Sequence, residues 1–111
     1  MKTQLNMLNE LSTILNFCSV ADYDSAYLKY MFNPNEGWKS MTLSSIKNGK
    51  AYLPSDYEST KVIALCKQLH NVMQQHTGGD WRKFILTIDR NREVKTQFIY
   101  DIQSCMDEFK D

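Results

Sequence analysis

Residues 81–101, Trp81-Arg82-Lys83-Phe84-Ile85-Leu86-Thr87-Ile88-Asp89-Arg90-Asn91-Arg92-Glu93-Val94-Lys95-Thr96-Gln97-Phe98-Ile99-Tyr100-Asp101, decide how this chain is read. Two runs rich in aromatic and β-branched residues flank a polar break at Arg90, Asn91 and Arg92. Such residues suit a pleated, half-buried surface, and opposed pairs of them hold antiparallel strands together. Trp81, Phe84 and Ile85 in the first run, with Phe98 and Tyr100 in the second, exceed what a hairpin in open solvent needs. The stretch predicts a closing pair of strands packed on the rest of the fold, with no catalytic signature in it.

Just upstream, Gly78-Gly79 supplies a helix stop. The helix it ends carries Val62, Leu65, Cys66, Leu69, Val72, Met73 and His76 at helical spacing. Its start is predicted at Pro54-Ser55-Asp56-Tyr57-Glu58, where Ser55 and Glu58 have capping-box spacing and Asp56 suits the positive end. Farther back, Asp22–Phe32 alternates with a period of two, and Ala26, Leu28, Tyr30 and Phe32 form its predicted buried side. Asn33-Pro34-Asn35-Glu36-Gly37 is a loop signal. A second strand follows from Trp38 to about Ile46, with Met41 and Leu43 on one face. Asn48-Gly49 is the preferred type I′ dipeptide, and Ala51-Tyr52-Leu53 returns as a third strand. Residues 3–17 place Leu5, Leu8, Leu11, Ile14 and Leu15 on one helical stripe. Ile102, Cys105, Met106 and Phe109 would share one side of a short terminal helix. The whole reads as a single α+β domain, residues 1–111, ordered α-β-β-β-α-β-β with a final α. It implies a largely antiparallel sheet with helices packed on one face.

The 111 residues carry 13 basic and 13 acidic side chains, for a formal net charge of zero. That balance argues against direct binding of duplex nucleic acid, which wants a basic footprint. It leaves room for a protein partner that meets a locally charged face. Cys18, Cys66 and Cys105 form no close-spaced motif and read as free thiols in a reducing cytoplasm. No apolar run approaches a membrane span, and polar residues interrupt any N-terminal leader. The expectation is a cytoplasmic protein with no membrane association.

Few residues suggest chemistry. Cys66 and His70, four apart on one helix, have the spacing of a thiol and its base or of two metal ligands. A stable zinc shell needs further ligands that the spacing does not supply, so a buried thiol beside a boundary histidine is the simpler reading. His76 suits a helix C-terminus. The paired glycines end a helix, whereas phosphate loops precede one. Asp22 with Asp24, and Asp107 with Glu108, read as solvated acids. Neither a cofactor motif nor a metal shell emerges. A binding protein is favoured over an enzyme, monomeric or weakly dimeric.

Trp81-x-x-Phe84-x-Leu86-x-Ile88, a charged turn, and Phe98-x-Tyr100-Asp101 together resemble the C-terminal half of the YezG-like immunity proteins. The order of elements before them is similar as well. The resemblance implies a bacterial, cytoplasmic immunity protein that neutralises a cognate toxin, often a nuclease, by covering its active site or substrate path. It transfers no contact residues. Exposed acids and aromatics of the meander and tail are the candidates for toxin contact: Asp22, Tyr23, Asp24, Tyr27, Glu36, Trp38, Asp101, Asp107 and Glu108. Acids answer a basic nuclease cleft, and Tyr and Trp anchor interfaces. The same element order is also similar to that of type III secretion chaperones, which hold an effector segment. The neighbouring gene product and the oligomeric state separate these readings.

Overall fold

The computed structural model of the chain describes residues 3–101. It contains α1 (Gln4–Cys18), β1 (Ser25–Asn33), β2 (Trp38–Lys47), β3 (Lys50–Tyr52), α2 (Ser59–Thr77), β4 (Lys83–Ile88) and β5 (Val94–Ile99). The strands form one sheet in the order β3-β2-β1-β4-β5. Every pairing is antiparallel. The meander β1-β2-β3 builds one side, and α2 carries the chain back so that β4 pairs with the opposite edge of β1. The α+β order read from the sequence is the order of the described elements. The terminal helix expected around Ile102–Phe109 lies outside the described residues.

Alternation along β1 sends Ala26, Leu28 and Tyr30 into a core shared with Leu43 of β2 and Phe84, Leu86 and Ile88 of β4. Met7, Leu11, Leu15 and Cys18 of α1 and Val62, Leu65, Cys66, Leu69 and Met73 of α2 close the same core. Both helices therefore cover one face of the sheet. The α1 stripe differs from the expected one at its start. Leu5 is 65% exposed, whereas Met7 is fully buried. At 100° per residue Leu5 stands about 120° around the helix from Leu11, too far to share the line Met7–Leu11–Leu15–Cys18.

The turns obey local rules. Asn48 and Gly49 take φ of 53° and 77°, both in the positive region a type I′ turn requires. Gly78 ends α2 in the left-handed region at φ 73°, with its N–H donating to Gln74 O at 2.9 Å. Between β4 and β5, Asp89 organises the break: its carboxylate accepts from the N–H groups of Asn91 (2.9 Å) and Glu93 (3.0 Å). Arg92 takes φ 66° there.

Two local readings are corrected. The capping box does not form: α2 starts at Ser59 with Glu58 as N-cap and no side-chain cap. Ser55 instead donates from its N–H (2.8 Å) and hydroxyl (3.3 Å) to Cys18 O, closing the C-terminus of α1. Orphan carbonyls at a helix end need partners, and this long-range demand takes the serine. Trp81 precedes β4 rather than opening it, and is the largest fully buried side chain. Its ring lies 5.0–6.2 Å from those of Tyr30, Phe32, His70, Phe84 and Phe98.

Candidate functional site

The β1–β2 connection is built by its own side chains. Asn33, 5% exposed, accepts at Oδ1 from the N–H groups of Asn35 (3.0 Å) and Glu36 (3.1 Å). Asparagine is suited to this mimicry of a backbone turn. Gly37 then takes φ 76°, and its N–H donates to Asn33 O at 2.8 Å. The loop so formed holds Glu36 beside the next strand. Glu36 Oε1 accepts from Asn33 Nδ2 at 3.1 Å and from the Trp38 indole N–H at 2.7 Å. An exposed carboxylate and a half-exposed indole are thereby locked together at the tip of a hairpin. Neither needs to lose much rotamer freedom on meeting a partner.

The opposite end of β1 is differently built. Asp24 accepts from Asn48 N–H at 2.9 Å and from Arg90 Nη2 at 3.1 Å. It thus ties the β2–β3 and β4–β5 turns to the start of β1. The Asn48 hydrogen bond, with Arg90 and Lys47 nearby, holds its carboxyl below the usual value. Arg92 lies over the Tyr23 ring, 3.9 Å to the centroid, and donates to Tyr23 O at 3.1 Å. The Tyr23 hydroxyl donates to Asn16 Oδ1 at 2.7 Å. Burial pushes this phenol up, against the opposing pull of Arg92.

The nine candidate contact residues therefore separate. Glu36 and Trp38 are joined directly. Asp22, Tyr23 and Asp24 lie at the other end of β1, roughly 25–30 Å away at 3.3 Å per strand residue. Tyr23 is 4% exposed, so its ring belongs to the core and not to an exposed contact surface. The sequence could not show this, because the groups that enclose it come from Asn16 and Arg92. Asp22 is exposed, while Asp24 is engaged as a clip. Tyr27 is half-buried on the face away from the helices, lining a shallow depression with Ser25, Lys29, Ile85 and Thr87. Asp101 is exposed just past β5, and Asp107 and Glu108 lie outside the described residues.

The helix pair Cys66 and His70 is not a thiol–imidazole pair. Cys66 is fully buried, and burial pushes its thiol up to about 12. His70 Nε2 is instead 2.8 Å from Asp80 Oδ1, while Arg82 Nη2 donates to Asp80 Oδ2 at 3.0 Å. Arg82 also lies over the Phe32 ring. This His70–Asp80–Arg82 chain fastens α2 to the approach to β4, a pairing across ten residues that helical spacing alone does not reveal. Among the described residues there is no group of three or more His, Cys, Asp or Glu side chains positioned for a metal ion. No described helix is long and apolar enough to cross a membrane. Compared with known proteins, the chain matches no family model and no curated sequence.

Proposed function

We propose that this protein is an immunity protein, which binds a cognate bacterial toxin of nuclease type and blocks its active site or substrate path. The observation that carries the reading is the hairpin tip, where Glu36 Oε1 fixes the Trp38 indole at 2.7 Å. Tryptophan is enriched among the few side chains that dominate interface affinity. A carboxylate beside it complements the basic groups a nuclease uses to hold phosphates. Fixing both before encounter lowers the ordering cost of association. The burial of Cys66 also counts against the competing reading of Cys66 and His70 as a thiol and its base. Neutralisation then needs no bond-making by this chain, only occupation of the cleft.

The experiment is co-expression with the product of the adjacent upstream open reading frame. That product alone arrests growth, and the wild-type chain restores it. Glu36→Lys and Trp38→Ala lower the protection while leaving the far-ultraviolet circular dichroism unchanged. A product that is harmless alone, or toxic despite the wild-type chain, overturns the proposal. An upstream effector held in an unfolded state supports the chaperone reading instead.

A further inference from the structure

Two large apolar side chains left in solvent meet at one place in the fold. Among the described residues, Leu53 (90% exposed) and Phe17 (87% exposed) are the most exposed of the large hydrophobics. Phe17 adjoins Cys18, whose carbonyl accepts from the Ser55 N–H and hydroxyl. Leu53 stands two residues before that serine. The hydrogen bonds that close α1 therefore bring these two apolar groups into one neighbourhood. A single exposed apolar residue needs no explanation, whereas neighbouring ones over a concavity mark a contact site.

The concavity is a groove between the last turns of α1 and the start of α2. Ile14 and Phe17 line it from α1, and Tyr57 lines it from the connection into α2. Ile14 lies three residues before Phe17, so both are on one helix face. The exposed side chains of Asp56, Glu58 and Lys61 edge the groove on the α2 side. Its volume of about 250 Å³ is below that of most small-molecule pockets. It is the size for one large side chain.

We propose that a second copy of this chain fills the groove in a two-fold pair, each Phe17 entering the groove of the other copy. The site carries both knob and hole, as a self-complementary contact requires. Its rim carries both signs of charge, so Lys61 of each copy meets Asp56 and Glu58 of the other. The net charge of the chain is zero, so two copies approach without overall repulsion. A buried aromatic ring covers about 150 Å² or more. Two rings, the groove walls they cover and both Leu53 side chains come to roughly 1,000 Å², the low end for specific association. The pair is therefore reversible and forms as concentration rises. The groove opens near the start of β1, since Val20 N–H donates to Ser45 Oγ at 3.1 Å and Ser45 pairs with Ala26. The Glu36–Trp38 tip follows Asn33, roughly 23 Å farther along β1. Both tips stay open in the pair, which forms whether or not the toxin reading holds.

The test is sedimentation equilibrium of the full chain in reducing buffer, from micromolar to millimolar concentration. The wild-type mass rises with concentration from one chain to two and stops there. Phe17→Ser holds the mass at one chain, with circular dichroism unchanged because the side chain is exposed. Lys61→Glu alone, and Asp56→Lys with Glu58→Lys, each raise the dissociation constant roughly tenfold or more by setting like charges together. Mixing those two variants restores the pair, because every rim contact then joins opposite charges. A single-chain wild-type mass at every concentration leaves the groove to a different protein and overturns the proposal. A pair that survives Phe17→Ser, or charge reversals that mixing does not rescue, places the contact elsewhere and overturns it as well. So does growth beyond two copies, which a closed two-fold contact does not permit.

Discussion

Replacing Trp81 by alanine, and separately by phenylalanine, probes whether the indole acts in this fold by packing or by hydrogen bonding. Trp81 is fully exluded from solvent and sits among five aromatic rings contributed by α2, β1, β4 and β5. Truncating a buried Trp or Phe to Ala costs about 3–5 kcal/mol. The ring neighbours are mutually packed and leave little room for collapse, which favours the upper part of that range. One effect opposes it. The Trp81 Nε1–H has no hydrogen-bond partner among the described residues, and an orphaned buried donor costs about 1–3 kcal/mol. Alanine relieves that penalty, so the net loss should fall near 3 kcal/mol, the lower part of the truncation range. Phenylalanine relieves it too while keeping one ring in place, so its net cost should be about 1 kcal/mol or less. Urea unfolding followed by circular dichroism measures both, because far-ultraviolet ellipticity does not depend on the lost fluorophore. With a slope of about 1.5 kcal/mol/M, alanine lowers the midpoint by roughly 2 M and phenylalanine by well under 1 M. Equal losses for the two variants would refute this account, since they would mean that the N–H contributes what the rings do not.

Gly78→Ala forces a side chain into φ 73° with nothing near its Cβ, so it should cost about 1–2 kcal/mol of conformational strain alone. Gly79→Ala keeps an ordinary φ and brings its Cβ to 3.2 Å from Thr77 Oγ1 and Tyr100 Oη, so it should cost less; thermal unfolding of the pair checks the order. Asp24 has a folded-state pKa below its ordinary 3.8, so it stabilises the fold above that pH and loses the effect as pH falls through the folded value. The stability difference between wild type and Asp24→Asn should therefore be constant near neutrality and shrink in acid, as followed by denaturation at a series of pH values. In a Cys105→Ser background, Cys18 and Cys66 should resist a thiol reagent in the native state and react on unfolding; rapid native labelling of Cys66 would reopen the nucleophile reading.

Features set by near neighbours were legible in the sequence. Asn48-Gly49 forms its turn because both residues tolerate positive φ, and the α2 stripe from Val62 to Met73 is buried because a long helix on a sheet has one place to put it. The errors share a cause. Ser55 has the right spacing to cap α2, but Cys18 O, 37 residues earlier, takes its hydrogen bonds. Tyr23 sits at the margin of an alternating strand, and its burial depends on Asn16 and on Arg92 reaching across from the β4–β5 turn. Leu5 and Met7 are both plausible members of an apolar stripe, and only the position of the sheet chooses between them. At the candidate site, the acids and aromatics were visible as residue types. That Glu36 holds Trp38 follows from the turn set by Asn33 and Gly37, and the role of Asp24 as a clip follows from two turns remote in sequence.

Under the proposed function, the Glu36–Trp38 tip is what meets the toxin. The most direct test is calorimetric titration of the purified upstream gene product with wild type, Glu36→Lys and Trp38→Ala, with nuclease activity read on the same samples. The expected result is a stoichiometric, inhibited complex for wild type and weakened binding with recovered activity for both variants. Binding and inhibition unchanged by either substitution would contradict it.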